Sequence, residues 1–151
     1  MKKWIIALSL AAVLLLSACG VQGLDVNKLD KSPYDAADKS TVVAMTLGET
    51  TVKEGTETIS VHLENSSDAE FTFGIEPHLD VESGGVWYTV PTVEGAAWNE
   101  IAYVMPAQGS SDYDFSLKDF YGNLPAGHYR IVRPLYSDAG STFALAEFTI
   151  D

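Results

Sequence analysis

The chain has 151 residues, is 46% hydrophobic, and carries 21 Asp and Glu against 9 Lys and Arg, for a net charge of −12. A surface of that sign repels nucleic-acid phosphates and anionic headgroups, which excludes nucleic acid as a partner and leaves cations or basic partners as the attractive direction. A single cysteine excludes an intrachain disulfide, so stability has to come from a packed core, which a domain of about 110 residues can supply.

The first element in chain order is a leader. Lys2 and Lys3 precede an apolar run over residues 5–16, and Leu16-Ser17-Ala18-Cys19 closes it. The run is shorter than the roughly 20 residues a spanning helix needs. A basic start, an apolar stretch and small residues before a cut site make a signal peptide. Cys19 directly after that site makes it a bacterial lipoprotein signal over residues 1–18. Cleavage there would leave the Cys19 thiol at the new N-terminus for diacylglycerol attachment, so no reactive thiol is left in an oxidising compartment. The expected location is the extracytoplasmic face of the cell membrane, reached through lipid on Cys19.

Residues 19–41 read as the lipidated N-terminus and a flexible linker. Gly20, Gly23, Ser32 and Pro33 interrupt regular structure, and seven charged side chains from Asp25 to Lys39 keep the segment hydrated. A flexible stretch of this length spans about 25 Å. A short helical turn near residues 34–38 fits within it.

From residue 42 the pattern becomes period two, the strand signature. Residues 58–64 are the clearest case: Ile59, Val61 and Leu63 face one side, and Thr58, Ser60, His62 and Glu64 the other. Further strands are predicted over 42–47, 70–73, 77–82, 86–90, 100–105, 111–117, 128–135 and 142–150. Turn residues separate them, among them Asn65-Ser66-Ser67-Asp68, Ser83-Gly84-Gly85, Pro106-Ala107-Gln108-Gly109 and Asp138-Ala139-Gly140. Asn65-Ser66-Ser67 also matches a glycosylation sequon, but a bacterial leader makes it a turn. Many short strands without a sustained 3.6-residue period predict one antiparallel, all-β sandwich over residues 42–151.

Leu124-Pro125-Ala126-Gly127-His128-Tyr129-Arg130-Ile131 is the most specific local pattern. In immunoglobulin-type sandwiches a tyrosine near the start of strand F bonds back to the chain a few residues upstream, two positions before a disulfide cysteine. Here Gly127 would permit the turn, Tyr129 would make the bond, and Ile131 stands in the cysteine position. Tyr129 and Ile131 are expected to face inward, Arg130 and Val132 outward.

With Val61-His62-Leu63-Glu64-Asn65, Gly85-Val86-Trp87-Tyr88, Tyr121-Gly122-Asn123-Leu124, Gly127-His128-Tyr129-Arg130-Ile131 and Ala146-Glu147-Phe148-Thr149-Ile150, the chain from about residue 43 to its end resembles the bacterial immunoglobulin-like domains found in Gram-positive lipoproteins and some membrane-bound signalling peptidases. The resemblance implies an immunoglobulin-like fold and a surface location, and it brings no assigned activity.

Candidate chemistry is sparse. His62, His78 and His128 lack zinc-site spacing, and His62 and His128 fall at outward strand positions. Neither a nucleophile elbow nor another triad signature is present. Asp112-Tyr113-Asp114 has the look of a calcium ligand pair, yet no glycine or distal glutamate completes a loop. Trp87 and Trp98 are assigned to packing, and Tyr88 and Tyr136 to the surface. No catalytic, cofactor or metal residue is assigned. The sequence thus predicts a membrane-anchored lipoprotein whose non-catalytic module meets an envelope protein or a cell-wall component, with strand addition as a contact mode. A ligand-sensing or inhibitory lipoprotein needs a concavity lined by aromatics. A metal-dependent enzyme needs the histidines to converge.

Overall fold

The computed structural model describes residues 23–151, so the leader and Cys19 lie outside it. The described chain folds into two facing sheets. One contains β1 (Val43–Leu47), β3 (Thr58–Asn65) and β8 (Ser110–Ser116), in the order β1-β3-β8. The other runs β2 (Thr51–Val52), β10 (Gly140–Ile150), β9 (Gly127–Ser137), β4 (Phe71–Phe73) and β7 (Tyr103–Met105). The hairpin of β5 (Leu79–Ser83) and β6 (Val86–Thr89) attaches to the lower half of β9. Each predicted strand has a counterpart within a few residues. The two-residue β2 was not anticipated, and it pairs with β10 in parallel, so that sheet is mixed. Between them the sheets bury Val61, Leu63 and Phe115 against Leu79, Ile131, Leu135 and Phe148. Full burial of each such side chain stabilises the fold by roughly 1.5–3 kcal/mol.

The strand expected to end at Leu117 gives way to a single helical turn, α1 (Leu117–Tyr121). Ser116 Oγ caps it by accepting from Asp119 N at 3.1 Å, and Gly122, at φ 69°, ends it. One turn is too short to leave a 3.6-residue period in the sequence.

The expected flexible linker over residues 19–41 is corrected within its described part. Residues 24–41 form a strap packed on the sandwich. Leu24, Val26 and Leu29 are partly buried against the core. Asp25 and Asp35 cap two short 3-10 turns, Val26–Lys28 and Ala36–Asp38. Residues 30–32 add to the free side of β6: Thr89 N donates to Asp30 O and Ser32 N to Trp87 O, both at 2.9 Å. Ser40 N then donates to Phe143 O at 2.7 Å. Charge and glycine content misled here, because a few apolar residues and backbone ladder bonds suffice to hold a segment whose other side chains stay wet.

The strap also corrects the outward assignment of Arg130 and Val132. Both are buried on the face of β9 opposite the core, where the Trp87 ring and the strap residues Ser32 and Tyr34 lie over Arg130. Gly127 needs correction too. It is an extended residue paired with Ile150 and not one of the positive-φ glycines, so the chain turns through Pro125-Ala126 without it.

Candidate functional site

Beneath the strap lies a buried polar layer. Asp80 on β5 and Arg130 on β9 are cross-strand partners, and both are almost completely inaccessible. Arg130 Nε donates to Asp80 Oδ2 at 2.8 Å, and its Nη2 donates to Tyr34 O at 2.6 Å and to Ser32 Oγ at 3.2 Å. Ser32 Oγ donates in turn to Asp80 Oδ2 at 2.7 Å, and His78 Nε2 lies 2.9 Å from Asp80 Oδ1. The guanidinium stacks over the half-buried Trp87, 4.5 Å from the ring centroid. Burial pushes the Asp80 carboxyl up, but the hydrogen bonds from His78, Ser32 and Arg130 outweigh it and hold the group below its ordinary value. The layer is therefore a charged lock between strap and sheet. Each Asp80 oxygen is engaged by protein, and the residue is closed off from solvent.

A second buried arginine sits on the other face of β9. The alternation that turns Tyr129 and Ile131 inward does the same for Arg133. Between β4 and β5 the residues 74–78 leave the ladder, and Arg133 Nη1 donates to two carbonyls there, Gly74 O at 2.6 Å and Glu76 O at 2.8 Å. Its Nε donates to Tyr113 Oη at 3.1 Å across the sandwich. Pro134 fits the same gap, since no neighbouring strand requires an N–H from it.

The three histidines do not converge. His62 pairs with Asp112 (2.7 Å) on the outer face of the β1-β3-β8 sheet, His128 with Glu147 (3.0 Å) on the β9–β10 pair, and His78 with Asp80 under the strap. Among the described residues no three His, Cys, Asp or Glu side chains gather as metal ligands. Asp114 accepts from Ser60 Oγ at 2.9 Å, so the Asp112-Tyr113-Asp114 acids serve cross-strand pairs. Trp98 is half-buried, edge-on to Phe120, and Tyr136 is 53% exposed. Tyr88, expected at the surface, is half-buried against the core. Asn65, the strand-ending asparagine, is buried, and its amide donates to Ala69 O and Pro106 O.

Tyr129 is fully buried, and its hydroxyl donates to Pro125 O, four residues upstream, at 2.8 Å. Burial, and then the charge of Glu54, push the phenol above its ordinary value, so it keeps its proton. Tyr129→Phe is expected to lower stability by about 1–2 kcal/mol in chemical denaturation, because it deletes this bond and leaves the carbonyl without its partner.

Residues 39–149 match the family described as bacterial Ig-like domain. The chain belongs to that family. The Ig-like domain is typically a non-catalytic module. No curated protein matches the chain. Among solved structures, the X-ray structure of a Northeast Structural Genomics Consortium target, SoR45, aligns at 11% identity with a TM-score of 0.47, covering 73% of this chain and 86% of that one. No described helix of this Ig-like domain is long and apolar enough to cross a membrane. Its buried arginines escaped the sequence reading. The available signal was the pair itself: these are the only two arginines in the chain, three residues apart on one strand, so one faces the core under any alternation.

Proposed function

We propose that this protein is a lipoprotein, anchored through Cys19 on the extracytoplasmic face of the cell membrane, that presents a non-catalytic Ig-like module to an envelope protein or cell-wall partner. The anchor rests on Lys2, Lys3, the apolar run and Leu16-Ser17-Ala18-Cys19. The observation that carries the reading of a binding module is the state of the polar groups. The three histidines are each paired with an acid within the fold, in separate places, and among the described residues no three His, Cys, Asp or Glu side chains gather as metal ligands.

The strap sets the geometry of presentation. Gly23 lies against the Pro125 ring at one end of the sandwich and follows Cys19 by only four residues. Four residues reach at most about 14 Å. The Pro125 end would thus stay near the lipid surface. The opposite end, with the Asn65–Ala69 turn and Asp138, would point away from it by the length of β9, about 35 Å.

Cys19→Ala is expected to move the protein from the membrane fraction to the soluble fraction or to stall its processing. Membrane association that is unchanged by the substitution and insensitive to globomycin would overturn the anchor.

A further inference from the structure

The three-stranded sheet ends on β8, which pairs with β3 and with no other described strand. Its register can be resolved to single groups. Asn65 N donates to Gly109 O, and Leu117 N to Glu57 O, on either side of the β3–β8 ladder. Hydrogen-bonded and non-bonded pairs alternate in an antiparallel ladder. Ser111, Tyr113 and Phe115 therefore bond to β3, while Ser110, Asp112 and Asp114 turn their N–H and C=O groups to the open side. No described residue bonds to those backbone groups. In constant-type immunoglobulin sandwiches a fourth strand occupies this place, in the order ABED. Here β7, the strand just before β8, has joined the opposite sheet beside β4.

The missing strand leaves a second mark. Tyr103 on β7 shares the inward face with its partner Phe73 and stacks on it at 5.9 Å, and Phe73 lies 6.1 Å from Tyr113 of β8. Although it faces inward, Tyr103 is 39% exposed, since no strand of the other sheet lies over it. The outer face of the same edge is acidic. The Asp112 side chain is 79% exposed despite its contact with His62, and Asp114 is exposed beside it. Residues 54–117 contain no Lys or Arg to offset them.

We infer that β8 accepts an extended segment of a partner protein, which adds as the fourth strand with apolar side chains toward Tyr103 and basic side chains beside Asp112 and Asp114. Backbone bonds supply the affinity and the alternating side chains the selectivity. A second copy of this chain is the wrong occupant, because it would set Asp112 and Asp114 against the same acids. The inference deepens the reading of the protein as a binding module and rests on it.

The test uses the purified full-length chain and blocked hexapeptides of alternating lysine and valine or alternating glutamate and valine. Hydrogen exchange is read at the amides of Ser110, Asp112 and Asp114. The lysine peptide is expected to slow all three and the glutamate peptide none. Asp112→Pro removes an outward N–H that no native bond uses, so unfolding should be little changed while protection by the lysine peptide is lost. Should that variant not fold, Asp112→Lys with Asp114→Lys is expected to weaken lysine-peptide binding by roughly tenfold or more and to admit the glutamate peptide. Absence of protection by the lysine peptide, equal protection by both peptides, or self-association through β8 without peptide would each overturn the inference. Photocrosslinking in intact cells from positions on β8 and, as a control, from Ser141 on β10 separates the two readings. A partner captured only from Ser141 sinks the β8 site and spares the module, and capture from neither position sinks both.

Discussion

Asp80→Ala is expected to lower folding stability by about 3–5 kcal/mol, the largest loss from any single change in the polar layer. The reason is what it leaves behind. Arg130 stays buried with its carboxylate gone, and a buried charge without its counterion costs far more than the pair was ever worth. Urea denaturation of Asp80→Ala, Arg130→Met and the double variant reads this directly. The double variant should recover much of the loss, since it removes the stranded charge. A double variant no better than Asp80→Ala would mean that Asp80 matters for its bonds to Ser32 and His78 and little for Arg130. The pH dependence has a definite sign. The folded carboxyl titrates below its ordinary value of 3.8, so its contribution is complete above that value and drains away as pH falls through the folded one. The gap between wild type and Asp80→Ala should therefore narrow in acid below about pH 4 and stay level from pH 5 to 7.

Arg133→Ala should cost about 3 kcal/mol by a different route. Arg133 has no carboxylate partner. It satisfies the Gly74 and Glu76 carbonyls where the chain leaves the ladder between β4 and β5, and its guanidinium lies 4.9 Å from the Tyr113 ring centre. Each buried acceptor left without a donor costs about 1–3 kcal/mol, and a cavity is added. Arg133→Lys should rescue less than half of the loss, because an ammonium cannot reproduce the planar fork that serves two carbonyls and a phenol together. Full rescue by lysine would show that charge alone holds the break.

The strands with one wet face, such as β1, β3 and β8, were the most legible. Ile59, Val61 and Leu63 alternate with polar residues, and that pattern fixes both type and register. Legibility fell where a second layer covers the outer face. Arg130 and Val132 alternate as surface residues should, yet both are buried, Arg130 beneath the Trp87 ring and the strap, itself polar and poor in apolar residues. The strap was unreadable for the same reason: its grip comes from Ser32, Tyr34 O and ladder bonds to Trp87 and Thr89, which leave no periodicity. The polar layer spans residues 30–34, 78–80, 87–89 and 130, so no local window contains it. The Tyr129 bond to Pro125 closes over four residues, and a bond that short is visible in a sequence.

The strap fastens to residues almost a hundred positions downstream, Ser32 to Arg130 being separated by 98. Ribosomes deliver a chain from its N-terminus. The first segment of this domain to emerge is consequently among the last to find its place, because its anchorage is not yet synthesised. Until β9 arrives, Trp87 and Asp80 have no guanidinium to meet. A product stopped short of Arg130 would carry every residue of the strap, with Asp80, Trp87 and Thr89 to bond to, but would lack the guanidinium that ties Ser32 and Tyr34 to the sheet.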